Sequence, residues 1–155
     1  MRRLAALVTA GACALALAGS AGATIVINRG IAGVNIGMTQ TQVRGKLGKP
    51  AKVVHGKNEF GPYTEFRYPG YTVDFQQNTT VTSIVTTLAR ERTAAGAGVG
   101  STWAQVHAKV PHVQCSGSPR IGECHVGQLL PGKRVTDFFF GLGKVYRVVV
   151  GVVLD

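Results

Sequence analysis

The residues able to do chemistry in this chain are few, and they do not gather into a catalytic set. There are four histidines, His55, His107, His112 and His125. His112 stands three residues before Cys115, and His125 directly follows Cys124, so a zinc site can be drawn from these four. The spacing matches no compact zinc-finger pattern. The competing reading is a Cys115–Cys124 disulfide with bystander histidines, His107 on a helix surface and His55 in a loop. Ser83, Ser101, Ser116 and Ser118 lie outside any G-x-S-x-G nucleophile elbow. The glycine-rich "GAGVG" at 96–100 is followed by no phosphate-loop lysine. The acids are Glu59, Glu65, Asp74, Glu91, Glu123, Asp137 and Asp155. Asp74 and Asp137 occupy equivalent places in a repeated pattern, which raises a paired-carboxylate hypothesis. Each also lies in an alternating strand-like run, where a face residue paired with Arg67 or Arg147 is the plainer role. The expectation is a protein without catalytic residues, metal or cofactor.

Residues 1–23, "MRRLAALVTAGACALALAGSAGA", carry two arginines, an apolar run and then small residues. This pattern predicts a secretory signal peptide cleaved after Ala23. An uncleaved membrane anchor and a lipid-modified Cys13 remain as alternatives, although the run is short of the ~20 apolar residues that span a bilayer. An exported chain keeps Cys115 and Cys124, and an even pair in an oxidising compartment is expected to join. The formal charge of +10 falls to +8 without Arg2 and Arg3. Such a surplus suits anionic envelope polymers or an acidic partner as well as mere solubility. The basic residues are scattered, and export argues against nucleic acid. No later run has the length and flanks of a spanning helix.

The elements that must position these residues are stated twice. At an offset of 63, Ile36-Gly37-Met38-Thr39 aligns with Val99-Gly100-Ser101-Thr102, Gln42-Val43 with Gln105-Val106, and Val73-Asp74-Phe75 with Thr136-Asp137-Phe138. Thr39 and Thr102 are each followed three residues later by glutamine, the pattern of a capping box that opens a helix. Gly48 with Pro50, and Pro111, stop these helices. Strand-like runs follow in each half: "TEFRY", "YTVDF" and "VTSIVTT", then "CHVGQLL", "RVTDFFF" and "KVYRVVVGVVL". The expected fold class is α+β, with two tandem repeats, 24–92 and 93–155, each a helix plus an antiparallel meander. The two repeats would form one larger sheet with helices on one face.

The stretch "IGMTQTQVRGKLGKP" resembles the signature of the BamE (SmpA/OmlA) family and its structural relatives, the β-lactamase inhibitory proteins. Duplication, a leader and a disulfide in one half resemble the inhibitory proteins more than single-module BamE. The resemblance implies an eight-stranded sheet with helices on its convex face and a concave face that grips a partner protein.

Strand alternation then selects candidate binding residues. Three successive phenylalanines, Phe138 to Phe140, cannot all enter the core from one face. If Phe138 faces the helices, Phe139 faces away, with Arg67 and Asp74 in the first half and Asp137 and Arg147 in the second. An aromatic among arginines is a candidate hot spot, unless a loop or the other half covers Phe139. The functional expectation is a secreted, non-catalytic protein-binding module, extending to inhibition of an extracellular or envelope protein. The alternative is an envelope assembly or structural factor retained at the membrane surface.

Overall fold

A computed structural model describes residues 24–155; the leader reading of 1–23 and the Cys13 alternative lie outside the described residues. The chain opens with three two-residue strands, β1 (Ile25–Val26), β2 (Gly30–Ile31) and β3 (Val34–Asn35), which pair as a small sheet. Then follow α1 (Gln40–Leu47), β4 (Lys52–Asn58), β5 (Gly61–Tyr68), β6 (Tyr71–Gln76) and β7 (Ser83–Thr86). The remainder is α2 (Trp103–Lys109), β8 (Gln114–Gly117), β9 (Ile121–Val126), β10 (Arg134–Gly141) and β11 (Lys144–Val152). Strands β4 to β11 form one antiparallel sheet in the order β4-β5-β6-β7-β11-β10-β9-β8. Its centre is the β7–β11 pairing, where Ile84 meets Val150 and Thr86 meets Val148. The outermost strands are β4, bearing Lys52 and Lys57, and the four-residue β8; charge and shortness both discourage edge-to-edge association.

The expected α+β class does not hold. Among the described residues 48% are in strands and 11% in helices, with two sheets instead of one sheet under a helical layer. The physical reason is the length of the helices and the content of 25–35. With eight and seven residues, α1 and α2 each bury a single fully enclosed side chain, Val43 and Val106. Two such helices cannot cover eight strands. The rest of the core face is taken by the three-stranded sheet, which contributes Ile25, Ile31 and Val34. Strands β1–β3, β4 and β8 add to the expected runs and raise the strand content further.

Local signals act where they are read. Thr39 and Thr102 each accept a bond from the backbone N–H three residues on, and Gln42 and Gln105 each accept one in return, so both capping boxes are present. The β5–β6 turn has Gly70 at φ +80°, a conformation glycine adopts without a Cβ penalty. The β10–β11 turn has Leu142 and Gly143 both at positive φ, the geometry of a type I′ hairpin.

The core lies between the large sheet and the layer of helices and small sheet. Phe66 and Phe75 meet edge to face with ring centroids 4.8 Å apart, and the Arg44 guanidinium of α1 sits 4.3 Å above Phe66. On the other half, Trp103 of α2 packs on Phe140 at 5.0 Å. Where the two repeats meet, around 90–98, the chain is packed against the core, with Glu91, Ala97 and Gly98 buried. The Thr24 and Ile25 N–H groups donate to the Arg92 carbonyl, and Arg92 N–H donates back to Thr24 Oγ1 at 2.9 Å. Asn28 N–H donates to the buried Thr136 hydroxyl at 2.6 Å, which donates to Asn28 Oδ1 at 3.0 Å. Tyr71 donates its hydroxyl to Glu91, which Arg90 also meets at 3.1 Å. The Asn28–Thr136 bonds tie the N-terminal segment to the second half, the others hold it and β6 to the end of the first, and β2 lies against both β7 and β11, so the small sheet covers their junction.

Among the described residues no helix is long and apolar enough to cross a membrane. Cys115 and Cys124 are joined as a disulfide across β8 and β9.

Candidate functional site

Both helices and the small sheet lie on one side of the large sheet, so residues of opposite parity point to its other side. Paired residues on neighbouring strands share a face, and the register sets out three rows on the open side. Arg67, Thr72, Val85, Val149, Asp137 and His125 form one row. Glu65, Asp74 and Ser83 form a second. Arg147, Phe139 and Glu123 form a third. All five residues selected from alternation, Arg67, Asp74, Asp137, Phe139 and Arg147, therefore lie on this face.

They fall into two groups. In the first, Arg67 pairs with Glu65, while Asp74 accepts a 2.5 Å bond from the Ser83 hydroxyl. Burial pushes the Asp74 carboxyl up; the Ser83 bond opposes this, and the neighbouring Glu65 charge adds to it. Glu65, Asp74, Tyr63, Gln76 and Ser83 line a cavity of about 410 Å³, with Leu154 of the C-terminal segment at its wall. In the second group, the Arg147 guanidinium stands 4.2 Å from the Phe139 ring and 5.5 Å from the Tyr146 ring. Arg147 Nε is buried and has no acceptor. Asp137 lies beside His125, and burial first, then Glu123, pushes its carboxyl up to about 6 while His125 pulls it down.

Asp74 and Asp137 do not act as a pair. Three strand spacings separate β6 from β10, or about 14 Å, well beyond the separation that two carboxylates need to flank a glycosidic bond. Arg67 answers Glu65 and Arg147 answers aromatic rings, so the carboxylate–arginine pairings suggested by the sequence are replaced by other partners. His55 is not in a loop; it sits on β4 with Nδ1 3.0 Å from the Thr64 hydroxyl.

Sequence reasoning missed Tyr146. A register shift between Phe139 and Phe140 leaves it without a direct partner on β10, and this bulge swings its ring towards Arg147. Tyr146 lies in a second depression of about 290 Å³ together with Ser116, Glu123, Phe139 and the strongly exposed Ile121. The available signal was a break in the repeat: Val81 and Ile84 match Val145 and Val148 only at an offset of 64, one more than the 63 that holds before them. Charge also distributes unexpectedly: Glu65, Asp74, Glu123 and Asp137, four of the seven acids of a chain with net charge +10, share the open face.

No family model and no curated protein match the chain. A crystal structure of a DUF4309 family protein, YjgB, from Bacillus subtilis subsp. subtilis str. 168 superposes with a TM-score of 0.49. The identity is 18%, over 84% of this chain and 88% of that one. A likeness of this size supports no statement about family or activity.

Proposed function

We propose that this protein is an exported, non-catalytic binding protein that holds a protein partner against the open face of its large sheet. The observation that carries the reading is the Arg147 cluster: a guanidinium within reach of both the Phe139 and Tyr146 rings, beside a shallow depression and an exposed Ile121. Arginine and tyrosine dominate binding hot spots because their stems offer apolar area and their polar ends stay directional. The carboxylates on the same face give the partner's chemistry. A basic side chain seated in the 410 Å³ cavity would meet Glu65 and Asp74, so the partner presents a lysine or arginine there. The overall positive charge reads instead as long-range attraction to an acidic surface elsewhere on the partner or its surroundings. Inhibition is one consequence such a grip would have if the partner's own site were covered.

The test is capture of partners from native secretome and envelope fractions by the parent chain, by Arg147→Ala, by Asp74→Asn and by Lys49→Ala as a control on the helix side. Loss of the same captured protein in the first two variants, with retention in the third, supports the open face. Equal capture by all four removes that face from the function. Recovery of the partner from the envelope instead of the medium would favour a retained assembly factor.

A further inference from the structure

Separately from the open face, the disulfide has a third ligand-bearing neighbour. Cys115 and Cys124 face each other across β8 and β9, and α2 carries His107 over them. A ring nitrogen of His107 and the two Sγ atoms all lie within 4.8 Å of one another. His125, which the sequence offered as a ligand, cannot join them: it neighbours Cys124 on the strand and so points to the opposite face, opposite Asp137. His107 is held by its place on the helix, one turn after Trp103, whose ring lies 5.9 Å away and is itself packed on Phe140.

We propose that reduction of Cys115–Cys124 converts this corner into a three-ligand Cys₂His site for zinc. The coupled steps balance. A dithiol reductant gives two electrons and two protons to the disulfide, leaving two protein thiols and a cyclic disulfide of the reductant. Zinc then binds both sulfurs, two thiol protons leave, and neutral His107 adds a nitrogen lone pair. A water fills the fourth position of the tetrahedron. Ligand atoms around a tetrahedral zinc stand roughly 3.5–3.8 Å apart, so the sulfurs separate and the imidazole closes in by an ångström or so. Burial gives the direction of approach: Cys124 is enclosed, Cys115 is half-buried and His107 is exposed, so the ion enters from the helix side. The site is closed to metal while the disulfide stands, because neither sulfur is then a thiolate. The corner is thus a redox-gated metal site.

The experiment uses the full chain, oxidised or reduced with a phosphine that is removed without air, titrated with zinc against a chromophoric chelator and with cobalt for its thiolate charge-transfer band. The oxidised chain should take up no zinc. The reduced chain should take up one ion, with a change in emission of Trp103, the single tryptophan. His107→Ala should weaken zinc binding by at least about tenfold, since removing even an outer-shell partner costs that much, and Cys115→Ser with Cys124→Ser should abolish it. Equal zinc affinity in the reduced parent and reduced His107→Ala overturns the proposal, as does failure of the reduced parent to bind. If reduction melts the corner, zinc should restore the circular dichroism of the reduced parent but not of reduced His107→Ala; failure to restore the parent overturns the proposal.

Discussion

Replacing Asp137 with Asn should stabilise the protein at alkaline pH and do little at acid pH. Asp137 stands half-buried on β10, with His125 and Glu123 on β9 and Val149 directly opposite on β11. Burial and the Glu123 charge raise its carboxyl from 3.8 to about 6. A shift of that size corresponds to at most about 3 kcal/mol at ~1.4 kcal/mol per unit. The carboxyl keeps access to water, so screening reduces this to about 1 kcal/mol. The sign follows from which form the fold prefers. The folded state favours the neutral acid, so the stabilisation is complete below pH 3.8 and is lost as pH rises through about 6. Asparagine cannot ionise and escapes that loss. Urea unfolding of parent and Asp137→Asn at pH 4 and pH 8 should therefore show the variant ahead by about 1 kcal/mol only at pH 8, a difference of a few degrees in Tm. A difference between parent and variant that does not change with pH, or a variant weaker at pH 8, would refute the account of Asp137.

Three further outcomes are expected. Phe75→Ala removes a fully buried ring in edge contact with Phe66 and should cost about 3–5 kcal/mol in urea unfolding; a loss below about 1 kcal/mol would mean the two rings do not anchor the core. Burial alone would raise the Glu91 carboxyl, but Tyr71, Thr24 and Arg90 outweigh it and hold it below its usual value. The resulting stability is present above pH 4.5 and is lost as pH falls through the depressed value, so the parent should lose an acid-side increment that Glu91→Gln lacks. Thr39→Ala and Thr102→Ala should each cost about 1 kcal/mol, and their sum should hold in the double variant, because the caps belong to separate helices; a strongly non-additive pair would show that the helices are coupled.

Much of the site was legible from a period of two. Arg67, Asp74, Asp137, Phe139 and Arg147 lie in strands long enough for alternation to assign a face, and the register places all five together on the open side. Their partners were not legible. Whether Arg67 meets Glu65 or Asp74 depends on side-chain geometry across a strand pair, and whether Arg147 meets Asp137 or Phe139 depends on a one-residue bulge at Tyr146. The fold class failed for a related reason. Strands of two residues, such as Ile25–Val26 and Gly30–Ile31, have no period to detect, and β4 is an edge with polar residues on both sides and Gly56 in its middle. Helical caps are strong local signals, yet the two helices they open hold only eight and seven residues.

Taken alone, the sequence determined what short-range forces decide: the two capping boxes, the glycine-bearing turns at Gly70 and Gly143, the alternation of β5, β6, β10 and β11, and the pairing of two cysteines. The tertiary structure decided what depends on contacts between distant residues. The last strand enters the middle of the sheet beside β7, the N-terminal strands close the core over the junction, and His107 comes to the sulfurs from another element. These are outcomes of burying apolar area from segments far apart in the chain, and no local pattern encodes which distant segment will provide it.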